Sequence, residues 1–290
     1  MNPLRKLLHK VVYKFYRVKQ RVPFLRFGTD KAVLELAQAV SVQNGLKDSK
    51  FTQQGYEVFE NFLDPETCDS LHNAFDGYLY DSLPAEESGA YVVERKYQPL
   101  DNYDKQVYQL MNIHQLDGMS EICDSIRPKL EGLLQERIGK PVYCNSFTLQ
   151  RDFPDDQTKR PYHNDGYFVA FKAFVYLTDV PERKNGPYTV VPGSHKHFFR
   201  KLYCIFNNAK RGNKRHDDLF QAYDDKNAVT FCGKKGTMIL STQTLAHKGW
   251  QGHTEGARDV MVVYIHLTPT TEWTLGKNLA MHKPLSLAHA

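Results

Sequence analysis

The stretch Tyr162-His163-Asn164-Asp165-Gly166, followed directly by strand-forming residues at 167–178, decides how this chain is organised. His163 and Asp165 are separated by one residue. On an extended strand their side chains therefore project to the same face, about 6.5 Å apart. An imidazole and a carboxylate in this arrangement can converge on one ion. The stretch predicts a metal site built on β-structure.

A second histidine completes the pattern in Leu245-Ala246-His247-Lys248-Gly249, 84 positions after His163. Two imidazoles and one carboxylate leave one side of a metal open, which suits non-haem Fe(II) and O2 chemistry. His253, in a glycine-rich turn at 249–256, is a rival ligand. His195 and His197 could suggest zinc, but neither a cysteine nor a third ligand lies nearby. The residues therefore favour an oxidising enzyme.

Segments rich in Val, Ile, Thr, Tyr and Phe dominate the second half of the chain and predict β-strands. They lie at 142–150, 167–178, 187–191, 229–232, 236–242 and 258–267. Helical patterns come earlier. Asp64-Pro65-Glu66 starts one helix with an N-cap, and a second helix spans about 118–137 with Pro128 inside. Helices first and strands afterwards predict an α+β domain whose catalytic part is an antiparallel barrel or sandwich.

Composition narrows the class of protein. The 290 residues are 41% hydrophobic and 24% charged, as in ordinary globular proteins, and we expect one large domain with an N-terminal extension. The five cysteines include no C-x-x-C pair, which favours a reducing, cytoplasmic compartment. The sequence lacks the glycine-rich phosphate-binding motifs and the G-x-S-x-G elbow. ATP, nicotinamide and serine-hydrolase chemistry therefore have no support.

Residues 1–29 form a basic arm with eight Lys or Arg and no acid. The arm accounts for more than the net charge of +5, so the remainder is net negative and nucleic-acid binding is not expected. Apolar residues recur at helical spacing from Leu4 to Val18, which predicts an amphipathic helix. It could dock on the protein body, lie on an anionic membrane through residues 1–27, or act as a mitochondrial transit peptide.

Two further segments carry a family resemblance. Asn185-Gly186-Pro187-Tyr188-Thr189-Val190-Val191-Pro192-Gly193-Ser194-His195 closely resembles the N-G-x-L-x-V-x-P-G-S-H segment of the phytanoyl-CoA dioxygenase family of 2-oxoglutarate-dependent oxygenases. The segment from Gly55 to Glu66 resembles the start of that family's domain. The resemblance covers about residues 51–268. It implies a double-stranded β-helix, or jelly roll, with N-terminal helices packed on one side.

The resemblance also implies cofactors and roles. Fe(II) would be held by His163, Asp165 and His247, and 2-oxoglutarate would be consumed with O2 to release succinate and CO2. Arg258, eleven residues after His247, matches the family's arginine for the far carboxylate of 2-oxoglutarate. A planar, permanently charged guanidinium suits that task. The partner of the inner carboxylate stays open among three polar residues: Gln150, Thr148 and Asn145.

Three positions refine this expectation. Related halogenases replace the carboxylate ligand with Gly or Ala, so Asp165 favours hydroxylation or another oxidation over halogenation. Gly249 stands where many relatives carry a serine that assists the far carboxylate. Val175 stands where a tryptophan is often found near the co-substrate.

Relatives use the segment corresponding to 195–216 as a lid over the metal. In this chain it holds seven Lys or Arg and no acid, so it favours an anionic substrate if it is more than a solvated loop. Phe198, Phe199, Tyr203 and Phe206 give it an apolar side that could dock on the barrel.

The sequence thus predicts a basic arm at 1–45 and a dioxygenase domain at 46–290. The expected substrate is a small or lipid-linked anionic molecule, and the expected location is cytoplasmic with possible contact at the inner membrane face. One alternative is a catalytically silent family member that acts as a binding module or membrane scaffold. Another is a zinc or manganese barrel without oxidative chemistry.

Overall fold

A computed structural model of the chain describes residues 29–80, 91–97, 105–154, 161–211, 219, 222–250 and 252–269. The helices are α1 (Thr29–Gln43), α2 (Lys50–Gln54), α3 (Pro65–Tyr80), α4 (Ser120–Ile138) and α5 (Phe198–Lys210). The strands are β1 (Tyr56–Phe59), β2 (Tyr91–Tyr97), β3 (Lys105–Met111), β4 (Tyr143–Asp152), β5 (Phe171–Tyr176), β6 (Tyr188–Val190), β7 (Val229–Phe231), β8 (Met238–Thr242), β9 (His247–Gly249) and β10 (Arg258–His266).

The strands form two antiparallel sheets. One has seven strands in the order β1-β8-β5-β10-β4-β3-β2, and the other has three in the order β7-β6-β9. This is a jelly-roll sandwich with helices on one side, as the sequence predicted, although the described strands do not close into a hydrogen-bonded barrel. All six predicted strand segments are confirmed. The stretch Gly55-Tyr56-Glu57-Val58-Phe59 likewise predicts a short strand, which is β1, and strands β2, β3 and β9 are additional.

The outer face of the large sheet is covered by helices. On β5, Phe171, Ala173 and Val175 share one apolar cluster with residues of α3 and α4. The N-cap of α3 is Asp64, as predicted, because its carboxylate accepts a hydrogen bond from the Thr67 backbone N–H at 2.7 Å. Helix α4 confirms the predicted 118–137 helix and contains Pro128.

The inner face of the large sheet meets the small sheet. Phe174 and Tyr176 of β5 belong to a second apolar cluster with Tyr188 of β6 and Val260 and Val262 of β10. Lys172 stands two residues before Phe174 and Arg258 two residues before Val260. Because side chains alternate along a strand, both also face this interior. The sheet thus places two cations between the layers.

Helix α1 packs against α5. Val33 and Leu36 of α1 share a small cluster with Ile205 of α5 and with Tyr167, two residues after Asp165. The predicted basic helix within residues 1–28 lies outside the described residues. Among the helices that the structure describes, none is long and apolar enough to cross a membrane.

Candidate metal centre

Backbone pairing brings the two histidine segments together. The His163 N–H donates to the His247 carbonyl at 3.0 Å, and the His247 N–H donates to the His163 carbonyl at 2.9 Å. The Asp165 N–H donates to the Gln243 carbonyl at 3.0 Å. Positions 84 residues apart therefore form one antiparallel bridge at the edge of the small sheet.

Three side chains converge at this bridge. One ligand atom each from His163, Asp165 and His247 lies within 4.8 Å of the other two, and no other such group of His, Cys, Asp and Glu is found among the residues described. Asp165 Oδ1 is 3.8 Å from His163 Nε2 and 3.4 Å from His247 Nε2. The structure thus brings together all three sequence-predicted ligands.

The second nitrogen of each imidazole is already engaged. His163 Nδ1 lies 3.0 Å from the Pro161 carbonyl, and His247 Nδ1 lies 2.8 Å from the Leu245 carbonyl. A carbonyl can only accept, so each Nδ1 carries the proton and each Nε2 keeps its lone pair on the side where the three side chains meet. This tautomer and orientation are those that metal-ligating histidines adopt. The donor set therefore fits a divalent transition metal.

A lysine that the sequence analysis did not single out also reaches the centre. Lys172 Nζ lies 2.6 Å from Asp165 Oδ2 and 3.0 Å from His247 Nε2, and the residue is only 5% exposed. It projects from β5 toward the interior. The signal was present in the sequence, since Lys172 is the one charged residue in the strand-forming stretch Phe-Lys-Ala-Phe-Val-Tyr. In the structure all six of these residues are buried.

The charges at the centre depend on one another. Burial alone would raise the pKa of Asp165, but the Lys172 ammonium outweighs it and holds that pKa well below its usual range. Burial and the same ammonium lower the pKa of His247. The centre therefore contains an ionised carboxylate and a neutral imidazole at neutral pH, the forms that bind metals.

Asp225 links the two histidine segments through residues next to His163 and His247. Its Oδ1 accepts hydrogen bonds from Tyr162 Oη at 2.8 Å and from Lys248 Nζ at 2.5 Å. Tyr162 precedes His163 and Lys248 follows His247, and Lys248 Nζ lies 4.5 Å above the Tyr162 ring. One carboxylate therefore holds the neighbours of two ligands in register.

Arg258 lies at the start of β10 on the same interior face. One of its guanidinium nitrogens donates to Asp152 Oδ2 and another donates to the Gly186 carbonyl. The guanidinium also lies 5.5 Å from the Phe174 ring centre. A Cβ added to Gly249 would be 3.8 Å from Arg258 Nη2, so this glycine borders the arginine as the family pattern implies.

The three candidates for the inner carboxylate differ in their surroundings. Gln150 is engaged with Gln109 at 2.7 Å and Asp152 at 2.9 Å. The buried Thr148 hydroxyl has no hydrogen-bond partner among the described residues. Asn145 donates to the Thr268 carbonyl at 3.2 Å, near the other end of β10. Thr148 is thus the candidate with an unused hydroxyl.

The expectation that Val175 lies near the co-substrate was wrong. Val175 packs in the cluster beneath α3 and α4, because it points to the outer face of β5. It therefore cannot stand beside a co-substrate in the interior. Phe174 and Tyr188, whose rings stack with centroids 5.0 Å apart, are the aromatic residues on that side.

The three other candidate histidines, His253, His195 and His197, make contacts of their own outside the group of three ligands. His253 Nε2 donates to the Gly256 carbonyl at 2.6 Å, so the rival ligand is held within its own turn. His195 Nε2 donates to the Thr52 carbonyl at 3.0 Å. His197 stacks on Tyr223 with ring centroids 5.9 Å apart. None of the three belongs to the metal-capable group found among the described residues.

The basic segment after His195 is largely a helix rather than a solvated loop. Phe198 and Phe206 of α5 pack toward α1, whereas Phe199 and Tyr203 are 67% and 59% exposed, so only part of the predicted apolar side is docked. Lys201 is fully buried, and its Nζ donates to the His195 carbonyl at 3.1 Å and to the Thr244 carbonyl.

A cavity of about 670 Å³ lies between α1 and α5. Its lining includes Val40 of α1, Phe199 and Arg200 of α5, and Thr244. None of the three metal-ligand candidates contributes to that lining. The cavity is therefore separate from the metal centre.

Sequence comparison identifies one family. The model of the family described as phytanoyl-CoA dioxygenase (PhyH) matches residues 51–260. No curated protein sequence matches the chain significantly.

Solved structures share the fold. HygX from Streptomyces hygroscopicus with nickel and 2-oxoglutarate bound is 16% identical, the match covers 76% of this chain and 85% of that chain, and the TM-score is 0.55. HygX has also been solved with hygromycin B present. SnoN, a non-haem alpha-ketoglutarate-dependent epimerase from nogalamycin biosynthesis, is 15% identical over 79% of this chain and 83% of its own, with a TM-score of 0.51. EctD from S. alaskensis with bound Fe is 21% identical over 74% of each chain, with a TM-score of 0.50.

Proposed function

This chain belongs to the phytanoyl-CoA dioxygenase (PhyH) family, and we propose that it is an Fe(II)- and 2-oxoglutarate-dependent dioxygenase that hydroxylates a small or lipid-linked anionic substrate. The observation that carries the proposal is the convergence of His163, Asp165 and His247, with the proton of each imidazole on Nδ1 and each Nε2 unprotonated. When bound at these residues, Fe(II) with 2-oxoglutarate and O2 supplies the oxidising chemistry, and succinate and CO2 are released.

The protein's own residues bind and orient. His163, Asp165 and His247 occupy one side of the metal position and leave the other side for ligands. Arg258 presents a fixed, planar cation to the far carboxylate of 2-oxoglutarate, and the Phe174 and Tyr188 rings keep this part of the interior apolar. In such surroundings a carboxylate and a guanidinium attract each other more strongly than in water.

Anaerobic titration with Fe(II) and 2-oxoglutarate tests the cofactor assignment. A weak visible charge-transfer band should appear, and succinate should be released once O2 and a substrate are added. A screen against acyl-CoAs, membrane glycolipids and small anionic metabolites should identify that substrate class. Metal binding without succinate release across the screen would favour the zinc or manganese alternative.

The silent-scaffold alternative has no specific observation in its favour. A silent member is expected to have lost a ligand or its orientation, whereas this ligand set is complete. Absence of both the charge-transfer band and metal binding would revive that alternative.

The proposed membrane contact, and with it an anionic substrate, is inferred from the cations and exposed aromatic rings around α5. Helix α5 exposes Phe199 and Tyr203 beside Arg200, and α1, which packs on it, continues directly from the basic arm. Exposed aromatic rings beside cations suit an anionic lipid surface. We therefore keep residues 1–27 as a proposed peripheral membrane contact.

Deletion of residues 2–27 tests this contact. We expect the intact chain to float with vesicles that contain anionic lipid, and the deletion variant to remain in solution with an unchanged melting temperature. Each Lys or Arg near such a surface contributes about 1 kcal/mol, and added salt should weaken the attachment. No flotation by the intact chain, with a large fall in melting temperature on deletion, would instead indicate a helix docked on the body.

A further inference from the structure

Lys172 makes contacts that a bound metal cannot share. His247 Nδ1 carries its proton toward the Leu245 carbonyl, so Nε2 has a single lone pair. In the structure that lone pair faces Lys172 Nζ at 3.0 Å. A metal ligated by His247 requires the same lone pair. The ammonium and the metal are therefore mutually exclusive partners of His247.

The carboxylate is shared differently. Asp165 Oδ1 points toward both histidines, at 3.4 Å and 3.8 Å from their Nε2 atoms, whereas Oδ2 accepts from Lys172 at 2.6 Å. One oxygen thus faces the metal position while the other is held by the ammonium. Lys172 can keep Oδ2 after it leaves His247.

The surroundings of Lys172 favour an ammonium that stays in the interior. Its Nζ lies 5.1 Å from the Tyr188 ring centre. Strand register places Ser241 directly opposite Lys172, and the Tyr188 and Ser241 hydroxyls are 3.3 Å apart. A buried ammonium and a buried carboxylate each carry a large desolvation cost unless they are paired.

We propose that Lys172 competes with a metal at this site: its ammonium and a metal are alternative partners of His247 Nε2, and Asp165 Oδ2 holds the ammonium beside the metal position when His247 binds a metal. The inference rests on the proposed function only in that His163, Asp165 and His247 bind a metal. Lys172 is a positioning residue, because it acts through Asp165.

Two effects follow for Lys172→Met. The metal-free protein should lose stability, because Asp165 is left buried without its partner. The affinity for a divalent metal should rise, because the metal no longer displaces or faces an ammonium, and we expect the Kd to fall at least about tenfold. A residue with only a structural role would change stability alone.

Calorimetric titration of the full chain with Ni(II), which needs neither O2 nor co-substrate, measures the affinity. Lys201→Met is the matched control, since Lys201 is also buried and donates to the carbonyls of His195 and Thr244, neither of which is a candidate metal ligand. It should leave the Ni(II) Kd unchanged. An unchanged or weaker Kd in Lys172→Met would overturn the proposal.

A double variant guards against failure of the single variant to fold. Asp165→Asn with Lys172→Met removes both charges, so its metal-free melting temperature should exceed the value expected if the two single effects simply added. Additive effects would contradict the pairing on which the proposal depends. If Ni(II) does not bind the unmodified chain at all, the metal site of the proposed function is rejected, and with it the competition at His247. The melting data then decide only whether Lys172 and Asp165 are coupled.

Discussion

We expect Asp165→Ala to abolish the proposed hydroxylation and the succinate release, because it removes the anionic member of the three candidate ligands. Losing an outer-shell partner of a metal ligand typically costs 10–100-fold in affinity or activity, and we expect loss of the ligand itself to exceed about 100-fold. The assays are Ni(II) affinity by calorimetry and succinate release under saturating 2-oxoglutarate. Full activity without added halide would refute the assignment of Asp165.

Two control variants make this result interpretable. Asp165→Ala leaves the Lys172 ammonium buried without its carboxylate, so its melting temperature must be recorded, and the same substitution in a Lys172→Met background removes that burden. Asp225→Asn is the matched control, because it changes a second carboxylate close to the histidine segments. It contacts Tyr162 and Lys248 but not the metal position, so it should weaken metal binding by no more than about 10–100-fold.

Arg258→Ala will raise the 2-oxoglutarate requirement strongly and leave metal affinity almost intact. Truncating one member of a buried, charged pair costs about 2–5 kcal/mol, which is a large change in KM. Arg258→Lys should recover only part of the loss, since an ammonium lacks the planar fork. The measurements are the KM for 2-oxoglutarate and the Ni(II) Kd for each variant.

Arg151 is a matched control for Arg258. The two residues lie on paired strands, at adjacent register positions, and both are buried. Arg151 faces the outer side, where it pairs with Asp259 at 2.7 Å. Arg151→Ala should therefore lower the melting temperature without changing the KM for 2-oxoglutarate. An unchanged KM in Arg258→Ala would mean that another cation binds the co-substrate.

Some elements could be predicted because their signals are local. The N-cap at Asp64 and the apolar face of α4 depend on residues within a few positions of one another. Strand β2, at one edge of the large sheet, was not predicted from the sequence, and the reason is physical. Strand β2 contains Glu94, Arg95 and Lys96, and charges on an edge strand are common because they discourage pairing with another chain. Strand β9 has only three residues, too few for a period-two pattern.

The sequence by itself predicted the three candidate metal ligands, because their residue types and the one-residue spacing of His163 and Asp165 are local features. It did not predict the backbone that carries them, since His163 and Asp165 lie outside the described strands and β9, which holds His247, was missed. Only the tertiary structure decided how that face is completed. The bridge between His163 and His247, the contact of Lys172 of β5 with Asp165 and the pairing of Arg258 with Asp152 all join segments that are distant in the sequence. Local periodicity says which side of a strand a residue occupies. Sheet register and the packing of the two sheets decide what it meets there.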